Sequence, residues 1–531
     1  MKRNNTIMLS TILVIIMLFS LFCIAGCTVK NGTLNQDQTT TQEGKEPIKT
    51  EIVVLKYLTP EHPNWPITDD TPILKIIEEK TGVKINYIAV PSANYTEKFN
   101  MTMASGELPD LMHNSISVIN EYANKKVFIP IDDLIKSQAP NLDRLFTPEV
   151  KIRLLNSDNK VYGVPSIYGD PTKTDAIISY AFLIRKDWLD KLSLKEPESL
   201  AEWENALREF KNGKFNNEKD IIPFIPQPTG SVNWIHHFEP AFGLNPDGWT
   251  AFGDELKYNI VLNEYKDIVT LLNKWYKDKL LDREYAVLSS KQWEERITSE
   301  ISGATIAHTV RTDMFTNAMQ TSNPEFNLVA TVPPAGPEGK QAALGGSAIR
   351  EGMSVGISKD CKNKEAAIKY LDYLYSDEGV LLMSWGVEDK TFAFKDGKKV
   401  FINNYDKDWV TQSTFGIMPN IFAYRIDSDA DRAIGYGKNM NDAENKLQNY
   451  LVTLRPTLTL TPEEQENATN ILSAINPIIN QYIDKFIMGE IPLSDWEKFQ
   501  EQLKSFKVEE LEKIYSAAYK RQIEAYNTIK K

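Results

Sequence analysis

From Glu51 onward the apolar positions switch repeatedly between two periods. Ile52-Val53-Val54-Leu55 is a continuous apolar run, the pattern of a strand covered on both faces. Pro72 to Lys80 puts Ile73, Ile76 and Ile77 on one helical face, with Gly82 just past its end. Val83-Lys84-Ile85-Asn86-Tyr87 alternates and predicts a strand. A helix follows around Tyr95, Phe99 and Met103, stopped by Gly106 and Pro109, and then Leu111-Met112 returns to a strand. Strand and helix in alternation predict a parallel α/β sheet.

The alternation resumes further on. Ala176 to Ile184 is strand-like, and Ser199-Leu200-Ala201-Glu202 is a capping box opening a helix through Trp203, Ala206, Leu207 and Phe210. Asn363 to Leu382 predicts one long helix. Thr461-Pro462-Glu463-Glu464 opens another, whose stripe runs Ile471, Ile475, Ile478, Tyr482 and Phe486, with a kink expected at Pro477. A last helical region starts at Ser494-Asp495-Trp496-Glu497. Trp188, Trp203, Trp275 and Trp496 lie within helical patterns and read as core.

The front of the chain follows neither period. Lys2 and Arg3 precede an apolar run from Met8 to Phe22, which ends in Ile24-Ala25-Gly26-Cys27. A positive start, a short apolar stretch and small residues at its end read as a secretory signal, the run being somewhat short for a membrane span. Residues 28–50 hold almost nothing to bury and read as a flexible tether.

Composition narrows the classes. The chain has 531 residues, with 60 Lys+Arg against 72 Asp+Glu, a net charge of -12. An acidic balance excludes a nucleic-acid binder of the usual basic kind. The 3 cysteines exclude a disulfide scaffold. Cys23 and Cys27 fall in the front segment, so Cys361 stands alone in the body of the chain, a thiol expected to be buried and inert. There is no G-x-S-x-G elbow, since Gly345-Gly346-Ser347-Ala348 lacks the closing glycine, and no P-loop, H-E-x-x-H or G-x-G-x-x-G. His236 and His237 are adjacent, without a partner at metal spacing, and read as structural or surface residues.

Several stretches together resemble the extracellular solute-binding lipoproteins of Gram-positive ABC importers, in particular the large LplA-like oligosaccharide-binding group of family 1. They are the lipobox ending at Cys27, Ser105 to Asp110 (SGELPD), Asp158 to Pro165 (DNKVYGVP), Ile184 to Leu192 (IRKDWLDKL) and Ala366 to Gly379 (AAIKYLDYLYSDEG). The resemblance implies a two-lobed periplasmic-binding-protein-like α/β fold with the ligand in a cleft between discontinuous lobes. Residues 1–26 would be the signal peptide and 27–50 the lipid anchor and tether. One lobe would comprise 51–168 plus 335–425 and the other 169–334 plus 426–531. Lipid on Cys27 would hold the protein at the outer face of the cell membrane, beside permease subunits that receive the ligand. Cleavage before Cys27 removes two positive charges, leaving -12 - 2 = -14. A protein of this size delivers cargo naturally as a monomer.

Sugar recognition uses aromatic rings against pyranose C–H faces and amides or carboxylates for the hydroxyls. Trp65 lies in a loop after the first strand, and Asn114 and Ser115 follow a strand end, where open α/β sheets line their clefts. Tyr168 falls near the expected hinge. Trp234 and Trp385 have turn-forming neighbours. Each of these, taken singly, reads more readily as packing than as ligand contact, with Trp65, Trp234 and Trp385 the stronger candidates. Some members of the group carry an EF-hand-like loop before an Ile-Pro-Phe. Here Ile222-Pro223-Phe224 is preceded by Asn212 to Ile221, which places Asn212, Lys214 and Ile221 at ligand positions, and such a ring is expected to hold no calcium. No cofactor and no catalytic residue is expected. Two alternatives stay open: a lipid-anchored carbohydrate-active enzyme, whose paired carboxylates no spacing would reveal, and a peptide-binding or sensory lipoprotein of the same fold.

Overall fold

The computed structural model describes residues 52–530, apart from 62–67, 69, 172–176, 179, 216–219, 404, 406–408, 418–422, 436 and 454. The lipobox, Cys27, the tether and Trp65 therefore lie outside the described residues. Among those described, no helix is long and apolar enough to cross a membrane.

The chain begins in lobe 1 with strands β1 (Val53–Glu61), β2 (Val83–Pro91), β3 (Leu111–Asn114) and β4 (Gly163–Tyr168). It passes through the two-residue β5 (Ile177–Ile178) into lobe 2. That lobe contains β6 (Tyr180–Arg185), β7 (Ile222–Phe224), the hairpin β8 (Trp249–Phe252) and β9 (Glu255–Tyr258), β10 (Ser302–His308) and β11 (Leu328–Ala330). The return runs through β12 (Ala343–Gly346) to β13 (Ile349–Ile357), a hairpin of β14 (Phe392–Lys395) and β15 (Lys398–Phe401), and β16 (Arg425–Ile426). The last strand is β17 (Leu451–Thr453).

Lobe 1 is a sheet in the order β16-β4-β13-β3-β1-β2, and lobe 2 one in the order β11-β6-β10-β7. Between them β17, β12 and β5 form a three-stranded sheet from segments that leave and enter the lobes. In lobe 1 every strand except β13 runs the same way, and β13 is antiparallel to both β3 and β4. A parallel strand flanked by buried helices needs apolar residues on both faces, and β4 is buried along its whole length. The open end of β1 departs from the expected fully covered strand, because Ile52 and Val54 are exposed there.

The helices follow their apolar stripes. Pro72–Thr81 buries Ile73 and Ile77 and ends at Gly82, whose φ of 67° is the left-handed conformation that suits glycine. Both expected capping boxes form, Ser199 with Glu202 and Thr461 with Glu464. The helix opened by the second runs unbroken from Pro462 to Met488, through Pro477. The long helix expected over Asn363 to Leu382 is instead two, Lys364–Tyr373 and Asp377–Trp385. Ser376 divides them by accepting the Gly379 amide as an N-cap, a competition between side chain and backbone that apolar spacing does not register.

Each lobe has its own core. In lobe 1 it gathers residues from Leu55 to Tyr168 and from Ile349 to Ile426. In lobe 2 it gathers Phe182 to Ile306 with the C-terminal helices, and Trp188, Trp203, Trp275 and Trp496 are all fully buried. The helix Ser428–Gly435 still packs on lobe 1 through Ala430, whereas Lys438–Leu447 packs on β11. The final helix, Val508–Ile529, starts on lobe 2 and reaches back, so that Ala525, Tyr526 and Ile529 lie against the lobe 1 core.

Candidate functional site

Chain direction decides which strand ends meet. The chain leaves lobe 1 after β4 and re-enters before β13; it enters lobe 2 before β6 and leaves after β11. The carboxyl ends of the parallel strands in both sheets therefore turn towards the hinge sheet, the location where open α/β sheets bind ligands. Lobe 1 contributes Asn114 at the end of β3, Tyr168 at the end of β4 and Arg350 at the start of the antiparallel β13. Lobe 2 contributes Tyr180 at the start of β6 and His308 at the end of β10.

On the lobe 2 side the rings form one group. His237 lies 5.5 Å from Tyr180 at 30°, and His308 meets the same tyrosine edge-on at 5.5 Å. Burial first, then the charges of Arg311 and Arg350, hold the His308 imidazole below the ordinary histidine range. Burial, helped by His236, lowers His237 to about 4. Both rings are therefore neutral at pH 7, each able to donate one hydrogen bond and accept one. Gln227, just beyond β7, has a buried Oε1 with no hydrogen-bond partner among the described residues.

On the lobe 1 side, the Arg350 guanidinium stands 5.5 Å from the Tyr168 ring. The Tyr168 hydroxyl donates to Asp431 at 3.0 Å, and burial raises the Asp431 carboxyl against the opposing pull of Tyr168, Arg350 and Arg432. Asn114 and Ser115 are half-buried. Asn114 accepts the Ser115 amide, while the Ser115 hydroxyl caps the helix Ile116–Asn124 through the Val118 amide.

The tryptophans predicted beside turns sit differently. Trp385 is 1% exposed, stacked on Phe401 at 4.6 Å, and its indole N–H donates to Asp427. Trp234 is 3% exposed and packs edge-on against Phe238 and Tyr285. Neither offers a ring face to a ligand in this conformation, because turn-forming neighbours fix where a loop bends and not which way its large side chain points. Asn233, beside Trp234, is exposed and lines a lobe 2 cavity of about 590 Å³ with Glu239, Tyr265 and Asn480. His236 also faces that cavity, so the two adjacent histidines serve different places.

The loop after the helix Leu200–Asn212 does not fit a calcium ring. Lys214 sets an exposed ammonium at a ligand position, and Phe215 folds inward to stack on Trp188 at 4.1 Å and 5°. Among the described residues no group of three or more His, Cys, Asp or Glu could hold a metal ion. Cys361 is buried, and burial with Asp110 pushes its thiol up to about 11.

Residues 64–381 match the family model described as bacterial extracellular solute-binding protein. The fructooligosaccharide ABC transporter substrate-binding protein FusA of Streptococcus pneumoniae is 26% identical, over 92% of this chain and 93% of that protein. The polygalacturonan/rhamnogalacturonan-binding protein YtcQ of Bacillus subtilis is 24% identical, over 84% of this chain and 88% of that protein. Among solved structures, FusA in complex with kestose superposes with a TM-score of 0.68 at 22% identity, covering 90% of this chain and 99% of that one.

Proposed function

The chain belongs to the bacterial extracellular solute-binding proteins, and from that premise we propose that it captures an oligosaccharide outside the cell and delivers it to the permease of an ABC importer. The observation that carries this reading is that Tyr168 and Arg350 of one lobe and Tyr180, His237 and His308 of the other stand at the strand ends beside the hinge, with the Arg350 charge acting on His308. Rings, neutral imidazoles and a guanidinium offer a sugar both apolar faces and hydrogen bonds. FusA and YtcQ, named for oligosaccharide and polysaccharide binding, support the choice of cargo.

In this reading a ligand held by both groups draws the lobes together over the short hinge strands. Asn114 and Ser115 extend the lobe 1 wall. Lipid on Cys27 and the 28–50 tether keep a monomer beside its permease at the outer face of the membrane. The cargo leaves chemically unchanged.

Thermal unfolding of the mature protein against neutral, acidic and peptide ligands tests this. A ligand at about 100 times its Kd stabilises the fold by roughly 2.7 kcal/mol. The expected result is a higher Tm with one sugar family and intact sugar recovered. Cleaved sugar would overturn the non-catalytic reading, and a shift with peptides alone would overturn the cargo.

A further inference from the structure

The arginines around the lobe junction differ in one respect. Arg153 pairs with Glu351 at 3.0 Å, Arg311 with Glu294 at 2.8 Å, Arg425 with Asp377 at 3.5 Å, Arg432 with Glu444 at 3.1 Å and Arg455 with Asp247 at 2.5 Å. Arg350 is half-buried and has no ion pair among the described residues. Its neighbour along the strand, Glu351, is turned to Arg153 and also accepts from Thr457. The other acid close by, Asp431, receives the Tyr168 hydroxyl; it feels the Arg350 charge but makes no direct ion pair with it among the described residues.

A guanidinium drawn partly out of water without a direct ion pair is costly unless something completes it. Its planar fork matches a carboxylate with two parallel hydrogen bonds, a geometry that neutral hydroxyls reproduce less well. Position adds to this. Arg350 follows β12 directly at the head of β13, beside the Tyr168 ring, and its charge acts on His308 of the other lobe together with that of Arg311. The ring of Tyr168 steadies the guanidinium and so reduces the freedom lost when it binds. The net charge of -12 does not oppose this at short range, since charges more than about 8 Å away are largely screened at physiological salt.

Resting on the oligosaccharide reading, we infer that the cargo is acidic, an oligosaccharide bearing uronate carboxylates, and that Arg350 is the residue that selects it. Asn114, Tyr180 and the neutral histidines would hold the hydroxyls common to neutral and acidic sugars, leaving Arg350 to distinguish them.

The test is calorimetric titration of the mature protein with a galacturonate trimer and with a galactose trimer of the same linkage, in wild type, Arg350→Gln and Arg350→Lys. Each variant is first melted to verify folding. Wild type is expected to bind the acidic trimer at least tenfold more tightly than the neutral one. Arg350→Gln should remove that preference by weakening the acidic trimer ten- to a hundredfold, at least tenfold more than it weakens the neutral trimer. Arg350→Lys keeps the charge but loses the fork and should retain part of the preference. Tighter binding of the neutral trimer, or an unchanged preference in Arg350→Gln, would overturn the inference while leaving oligosaccharide capture standing. Failure of both trimers and of every neutral oligosaccharide would overturn both.

Discussion

Trp385 and Tyr180 separate two roles that aromatic residues play in this chain. Trp385 is enclosed by Phe401, Phe392 and the Lys399–Asp427 pair. Trp385→Ala leaves a cavity and strips Asp427 of a donor, so it should lower stability by about 3–5 kcal/mol, read by denaturant unfolding. In the proposed site Tyr180 offers its ring to the ligand, and Tyr180→Ala should instead weaken ligand about tenfold with little change in Tm. The motif Ile184 to Leu192 has a structural reason of the same kind. Arg185 is fully buried, forks onto Asp187 at 2.8 and 2.6 Å, and lies over the Trp188 and Phe326 rings. Arg185→Ala would leave Asp187 without its partner and should cost about 3–5 kcal/mol. Histidine titration gives a pH dependence. Burial holds His113 and His237 near 4, below the unfolded value of about 6.5. The unfolded chain therefore takes up protons first, so their contribution is complete above pH 6.5 and is lost as pH falls towards 4. His236, where burial is outweighed by Glu239, works the other way. His113→Asn should flatten the fall in Tm between pH 6.5 and 4.

Elements with a local code were legible in the sequence. A capping box is written within four residues, and Thr461 with Glu464 forms as its spacing requires. Arg521 of the last helix also holds Glu464, at 2.7 Å, a contact no local pattern contains. Thr461→Ala should cost about 1 kcal/mol in an equilibrium melt. What stayed hidden is where amphipathic helices dock. Periodicity gives the helix Val508–Ile529 an apolar face but not its change of partner, from β9 and the helix Pro462–Met488 to lobe 1. The Tyr526 hydroxyl donates to Glu149 at 3.0 Å, so the chain end ties the lobes together at a second place besides the hinge sheet. The site residues escaped for a related reason. Tyr180 and His308 lie far apart along the chain and meet because β6 and β10 pair antiparallel, with His308 opposite Tyr180, while His237 joins them from the turn after the helix Ser231–Ile235. A strand pattern predicts each strand without predicting that pairing. Asn114 and Tyr168, by contrast, end strands that the local pattern or the family likeness had already marked.

For the whole molecule, strand–helix alternation declared an α/β body, but not that β13 would enter lobe 1 between β3 and β4 after the chain had built most of lobe 2. Sequence-distant pairing of this kind is what makes the lobes discontinuous, and only the family likeness anticipated it. The arrangement leaves short strands in the hinge sheet between two separate cores, so closure can bend the connections without disturbing either core. The central claim is that the two ring groups hold one ligand between the lobes. Small-angle X-ray scattering of the mature protein during titration tests it most directly. The radius of gyration should fall saturably as an oligosaccharide is added and recover on dialysis, with the sugar returned intact. An unchanged radius with ligand demonstrably bound would contradict the account.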